Sequence, residues 1–65
     1  RRRRAGSQAE RVLRLVLRLL REPSTARELA AAEDVDPRTI RRDLEVIGRV
    51  CTVRRHGDRI RVEGA

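Results

Sequence analysis

Between Ala9 and Glu22 the chain reads AERVLRLVLRLLRE, and its arginines recur at spacings of three, four and three. Arg11, Arg14, Arg18 and Arg21 therefore line one side of a helix. At roughly 100° per residue, the apolar residues from Ala9 to Leu20 fill an arc roughly 200° wide, with Leu15 at one edge and Leu17 at the other. A surface helix buries a stripe only a little over about 100° wide. The arginine stripe is expected to be a solvated face opposite the core, and Leu15 and Leu17 are expected to stay partly wet in a lone domain. Burying each would contribute roughly 1.5–3 kcal/mol. The two therefore mark an expected interface with a second copy or with a missing part of the chain.

Pro23 ends this helix. A second is expected within STARELAAAED, where Thr25 and Glu28 have the spacing of a capping box. It turns Leu29 and Ala30 inward and ends near Glu33, and Val35 plugs the turn that follows. Asp36-Pro37 then restarts the chain as N-cap and first-turn proline. The third helix runs from Pro37 to about Ile47, with Ile40, Leu44 and Ile47 on its inner side. Arg38, Arg42, Glu45 and Arg49 fall opposite Ile40, and Thr39 and Arg41 lie on the flanks.

Beyond Gly48 the period changes to two. VCTVRR and RIRVE alternate about His56-Gly57-Asp58, and a two-residue loop at Gly57-Asp58 pairs Val53 with Val62. Cys51, Val53, Ile60 and Val62 then share one face. Thr52, Arg54, His56, Arg59, Arg61 and Glu63 share the other. RRRRAGSQ, residues 1–8, has no apolar periodicity and is expected to be a flexible basic arm before a domain over residues 9–65.

Sixty-five residues allow one small domain, and the lack of Phe, Tyr and Trp makes its core aliphatic. There are 17 Lys+Arg, all of them arginine, against 10 Asp+Glu, a net charge of +7 that favours a polyanionic partner. One Cys and one His cannot assemble a zinc site, and Cys51 is expected to be a small core residue. No arrangement of nucleophile, base and orienting group marks an enzyme, and no cofactor is implied. The apolar run from Val12 to Leu20 is interrupted by arginines and too short for a bilayer span. The chain lacks Met and begins at Arg1, so it is expected to be part of a longer, cytoplasmic, nucleoid-associated protein.

Two short helices joined by a tight turn, the second one basic, form a helix-turn-helix pattern. TARELAAAEDVDPRTIRRDLEVI resembles the winged helix-turn-helix of DeoR-type regulators and of the related amino-terminal domains of WYL-type regulators. TIRRDL, Thr39 to Leu44, is the most characteristic part, and RRHGDRI is similar to the family's wing tip. The resemblance covers about Glu10 to Val62. It implies an α+β fold of three helices with a C-terminal β-hairpin wing. It implies base or phosphate contacts for Arg38, Thr39, Arg41 and Arg42 in the major groove, and a structural Asp43 paired with a neighbouring arginine. Two positions depart from the family pattern. Asp34 stands where the turn usually has Gly, although Asp tolerates the left-handed conformation. Asp58 replaces a second wing Gly and leaves the tip less free to press on a phosphate.

The expected function is sequence-specific binding of double-stranded DNA by a transcriptional regulator, repression favoured over activation. Helix 37–47 reads the groove, where arginine forks onto guanine. Ser24 and Thr25 at the second helix's amino end donate to a phosphate. Arg54, Arg55, His56 and Arg59 on the wing add backbone contacts, and Arg61 is weighed between that and solubility. A homodimer, or docking on a missing C-terminal domain, is expected through the first helix. Two alternatives are a winged helix that makes only protein contacts and an interfacial amphipathic helix on a membrane.

Overall fold

The computed structural model describes residues 7–64 and is α+β, a three-helix winged helix-turn-helix. Its elements are α1 (Gln8–Arg21), β1 (Ser24–Thr25), α2 (Ala26–Glu33), α3 (Pro37–Ile47), β2 (Thr52–His56) and β3 (Arg59–Glu63). Most of the expected arm, residues 1–6, lies outside the described residues. Its last two positions belong to α1 instead. Ser7 is the N-cap, its hydroxyl accepting from the Glu10 N–H at 3.2 Å, while Glu10 Oε1 accepts from the Ser7 N–H at 3.3 Å. This is a second capping box, at the Ser-x-x-Glu spacing the sequence already carries.

The core is built from Leu15 and Leu19 of α1, Leu29 and Ala30 of α2, Ile40, Leu44 and Ile47 of α3, and Ile60 and Val62 of β3. Val12, Val16, Val35, Cys51 and Val53 pack around it, half-buried. Ala30, with only a methyl group, lets α3 come close to α2. The turn between these helices is a Schellman motif. Asp34 is left-handed at φ 58°, ψ 48°, its N–H donates to the Ala31 carbonyl, and the Val35 N–H donates to the Ala30 carbonyl at 3.0 Å. Val35 supplies the apolar contact that closes such a turn. Asp36 then caps α3, its carboxylate accepting from the Arg38 N–H at 2.8 Å.

The hairpin has the expected register, with Val53 opposite Val62 and His56 opposite Arg59 around Gly57-Asp58. Gly57 has φ 67° and Asp58 does not share its positive φ, the sign pattern of a hairpin turn that takes glycine in its first central position. A third strand was not expected. Ser24 and Thr25 pair antiparallel with Ile60 and Arg59, giving the sheet order β1-β3-β2. α2 therefore begins at Ala26, with Thr25 serving as both strand end and N-cap.

Two expectations for α1 are overturned together. Leu15 is 1% exposed and central to the core, whereas Leu17 is 55% exposed. The core takes up one end of the wide apolar arc, around Leu15, Leu19 and Val12, and leaves Leu13, Leu17 and Leu20 at the other end in solvent. The arginine stripe lies beside the core rather than opposite it: Arg14, Arg18 and Arg21 stay exposed, as expected of a solvated face, but three of the four arginines make contacts with later elements. Arg11 binds Asp43 of α3, Arg14 binds Glu33 of α2, and Arg18 donates to the Ser24 hydroxyl at 3.4 Å. These contacts lie on the Leu15 side of the arc, the edge that is buried.

Candidate nucleic-acid interface

The geometry of α3 follows from its period. With Ile40, Leu44 and Ile47 buried, Arg38, Arg41, Arg42 and Glu45 are exposed on the other side, Thr39 is half-buried on a flank, and Arg49 is exposed in the turn beyond the helix end. Among the described residues, Arg41, Arg42 and Arg49 have no carboxylate within ion-pair distance. Arg38 has a loose contact to Asp36 at 3.6 Å, with both side chains mostly exposed, so water competes for it and the guanidinium is free to turn outward. Glu45 has no ion pair among the described residues.

What fixes this face in direction is Asp43, which is fully buried on α3. Its carboxylate accepts from two nitrogens of Arg11, with Arg11 Nη2 to Oδ1 at 3.1 Å, and from Gln8 Nε2 at 3.1 Å. The arginine partner is thus not a neighbour on α3 but lies on α1, 32 residues earlier. The hydrogen bond to Asp43 raises the Arg11 pKa above its ordinary value against the opposing effect of burial. Glu33 does the same for Arg14 through its hydrogen bonds. Two forked pairs on α1 hold both helices of the helix-turn-helix. Arg11 and Arg14 are therefore engaged within the fold.

The amino end of α2 differs from expectation. Ser24 is 1% exposed, so its hydroxyl, which accepts from Arg18, is out of reach of an outside phosphate. Thr25 is half-buried: its hydroxyl accepts from the Glu28 N–H at 3.0 Å and keeps its own proton to donate, while its N–H donates to Glu28 Oε1 at 2.9 Å. That backbone hydrogen bond and the nearby Arg59 hold the Glu28 carboxyl below the usual range against burial. The first-turn N–H groups of Ala26 and Arg27 have no intrahelical acceptor. These two residues line a hollow with Thr25, Pro37, Arg41 and Asp58. Arg27 was missed by sequence reading, though its place two positions after the capping threonine marks it as outward-facing.

On the wing, Arg54, Arg61, His56 and Arg59 stand on the outer face, with Arg54 directly opposite Arg61 and His56 opposite Arg59. Like charges placed so across a sheet oppose its formation. Two carboxylates partly offset this, Glu63 to Arg54 at 3.3 Å and Glu28 to Arg59 at 3.7 Å. Arg55 and Arg61 have no ion pair among the described residues. With Pro23, Arg55 and Glu63 these side chains line an open, strongly basic hollow of about 550 Å³.

No helix is long and apolar enough to cross a membrane, and no group of three or more His, Cys, Asp or Glu that could hold a metal occurs among the described residues. The arrangement defines a winged helix whose outward groups are guanidinium donors and helix N–H groups. No family model matches the chain, nor does any curated protein or solved structure.

Proposed function

We propose that this chain is the DNA-binding domain of a transcriptional regulator of the DeoR or WYL type, reading double-stranded DNA with α3 in the major groove. The observation that carries the reading is the division of α3. Its isoleucines and leucine are buried beneath while Arg38, Arg41 and Arg42 stand exposed above, the latter two unpaired among the described residues. A row of uncompensated guanidinium groups is unfavourable for a lone domain and is relieved by phosphates and guanine edges. The Ala26 and Arg27 N–H groups, backed by the positive end of the α2 dipole, suit a backbone phosphate. The basic wing would follow the flanking backbone, and repression is favoured over activation.

The test is a binding selection from random duplexes, followed by Arg42→Ala on the selected site. If Arg42 reads a base, the substitution costs about 1–3 kcal/mol and relaxes specificity at one position. If it holds a phosphate, affinity falls evenly across sequences and the salt dependence becomes shallower. No affinity for random duplex at low salt, or no effect of Arg42→Ala on either quantity, would remove the reading.

A further inference from the structure

The core leaves one apolar surface uncovered. Leu13, Leu17 and Leu20 are 60, 55 and 51% exposed on α1, and Val50, at 76%, extends the same side beyond the end of α3. The leucines step by four and then three, the spacing of a helix–helix seam. Along the flank nearest Leu17 stand two charges, Glu10 roughly 20° and Arg21 roughly 40° around the helix from it. Neither has an ion-pair partner among the described residues.

We propose that α1 is a self-association surface on which two copies of this chain pair antiparallel about a two-fold axis beside Leu17. In that register Leu17 meets its counterpart and Leu13 meets Leu20 of the second copy. Glu10 comes to within about 3 Å, measured along the helix axis, of Arg21 of the second copy, a gap two long side chains close easily. The symmetry repeats the pairing at the other end. Parallel pairing would set Glu10 against Glu10 and Arg21 against Arg21, so the charges select the antiparallel arrangement. This reciprocity is what points to a second copy. An unrelated apolar segment could cover the leucines but would have no reason to match an acid at one end and a base at the other.

The association is weak by construction. One 14-residue helix per side gives a seam about 21 Å long, at the small end of specific interfaces. Each copy also carries a net charge of +7, which opposes approach. Added salt screens that repulsion more than it weakens two exposed ion pairs that contribute little. Self-association therefore strengthens with salt, the opposite sign to DNA binding. The inference does not depend on DNA and is read without it.

Sedimentation equilibrium of the chain at low and high salt tests it. The expected result is a mass that rises with concentration toward the dimer, more so at high salt. Leu17→Asp, a change at an exposed position, weakens association by about tenfold or more without altering the helical CD signal. Arg21→Glu weakens it, and an equimolar mixture of Arg21→Glu with Glu10→Arg associates more tightly than either alone, a gain that loss of the Ser7–Glu10 cap cannot produce. A chain that stays monomeric at high salt overturns the proposal, including one that instead co-sediments with anionic vesicles through the same leucines. A dimer indifferent to Leu17→Asp, or a mixture no tighter than its components, overturns it too.

Discussion

Breaking the tie between α1 and α3 from its two ends should give unequal results. Asp43 is fully buried, while the Arg11 side chain keeps 15% of its surface in solvent. Arg11→Ala leaves a buried carboxylate with only the Gln8 amide at 3.1 Å, and removing the partner of a buried charge costs about 3–5 kcal/mol. Asp43→Asn keeps an acceptor of the same shape and frees an arginine that already touches water, so its cost is that of a weakened hydrogen-bonded pair, about 1–3 kcal/mol. For 65 residues the whole stability is about 3–10 kcal/mol. Arg11→Ala therefore approaches or crosses the limit of folding, and its unfolding is measured with a stabilising osmolyte present.

The assay is urea unfolding followed by far-UV CD, because the chain has no Trp or Tyr to report by fluorescence. Equal costs for the two variants would refute this account of how α3 is held.

Two smaller effects follow from the same geometry. Leu15→Ala should cost about 2–5 kcal/mol in urea unfolding, and Leu17→Ala, at concentrations too low for self-association, within about 0.5 kcal/mol of nothing; comparable costs would mean that the core lies elsewhere on α1. Glu28, held below the usual carboxylate range first by its hydrogen bond from Thr25, stabilises the fold above the ordinary carboxylate range of about 4.3, and this contribution disappears as pH falls through the lower folded value. In Glu28→Gln the acid limb of a plot of Tm against pH should be shallower, and an unchanged limb would show that the cap does not titrate with folding.

The parts of the fold that one segment determines by itself were legible in the sequence. Asp36-Pro37 fixed the start of α3, the Ile40-Leu44-Ile47 spacing fixed its buried side, and period-two alternation about Gly57 fixed the register of β2 on β3. β1 was not legible, because two residues carry no period. Ser24 and Thr25 become a strand only through Ile60 and Arg59, more than thirty positions on, while their local chemistry reads as a helix cap. The assignment of Ser24 as a phosphate donor failed for the same reason: the strand pairing that the sequence does not display buries it.

The case of α1 shows what periodicity can and cannot decide. Spacing along one helix gives the width of an apolar arc and the direction of each side chain about the axis. It does not say which part of an over-wide arc meets the rest of the chain. Here the buried edge is the one beside charges that α1 does not carry: Asp43, fully buried, pairs with Arg11, and Glu33 pairs with the half-exposed Arg14. An arginine stripe beside a leucine stripe thus has two stable readings, solvated arginines over buried leucines or paired arginines beside exposed ones. A buried acid on a later helix selects between them. Asp43, between an arginine and a leucine that belong to opposite faces of α3, was the position from which the second reading could have been inferred, since a buried carboxylate there requires a cation from another element. The leucines left outside are then a consequence of that pairing, and any partner they take is chosen by where the acids of α2 and α3 lie.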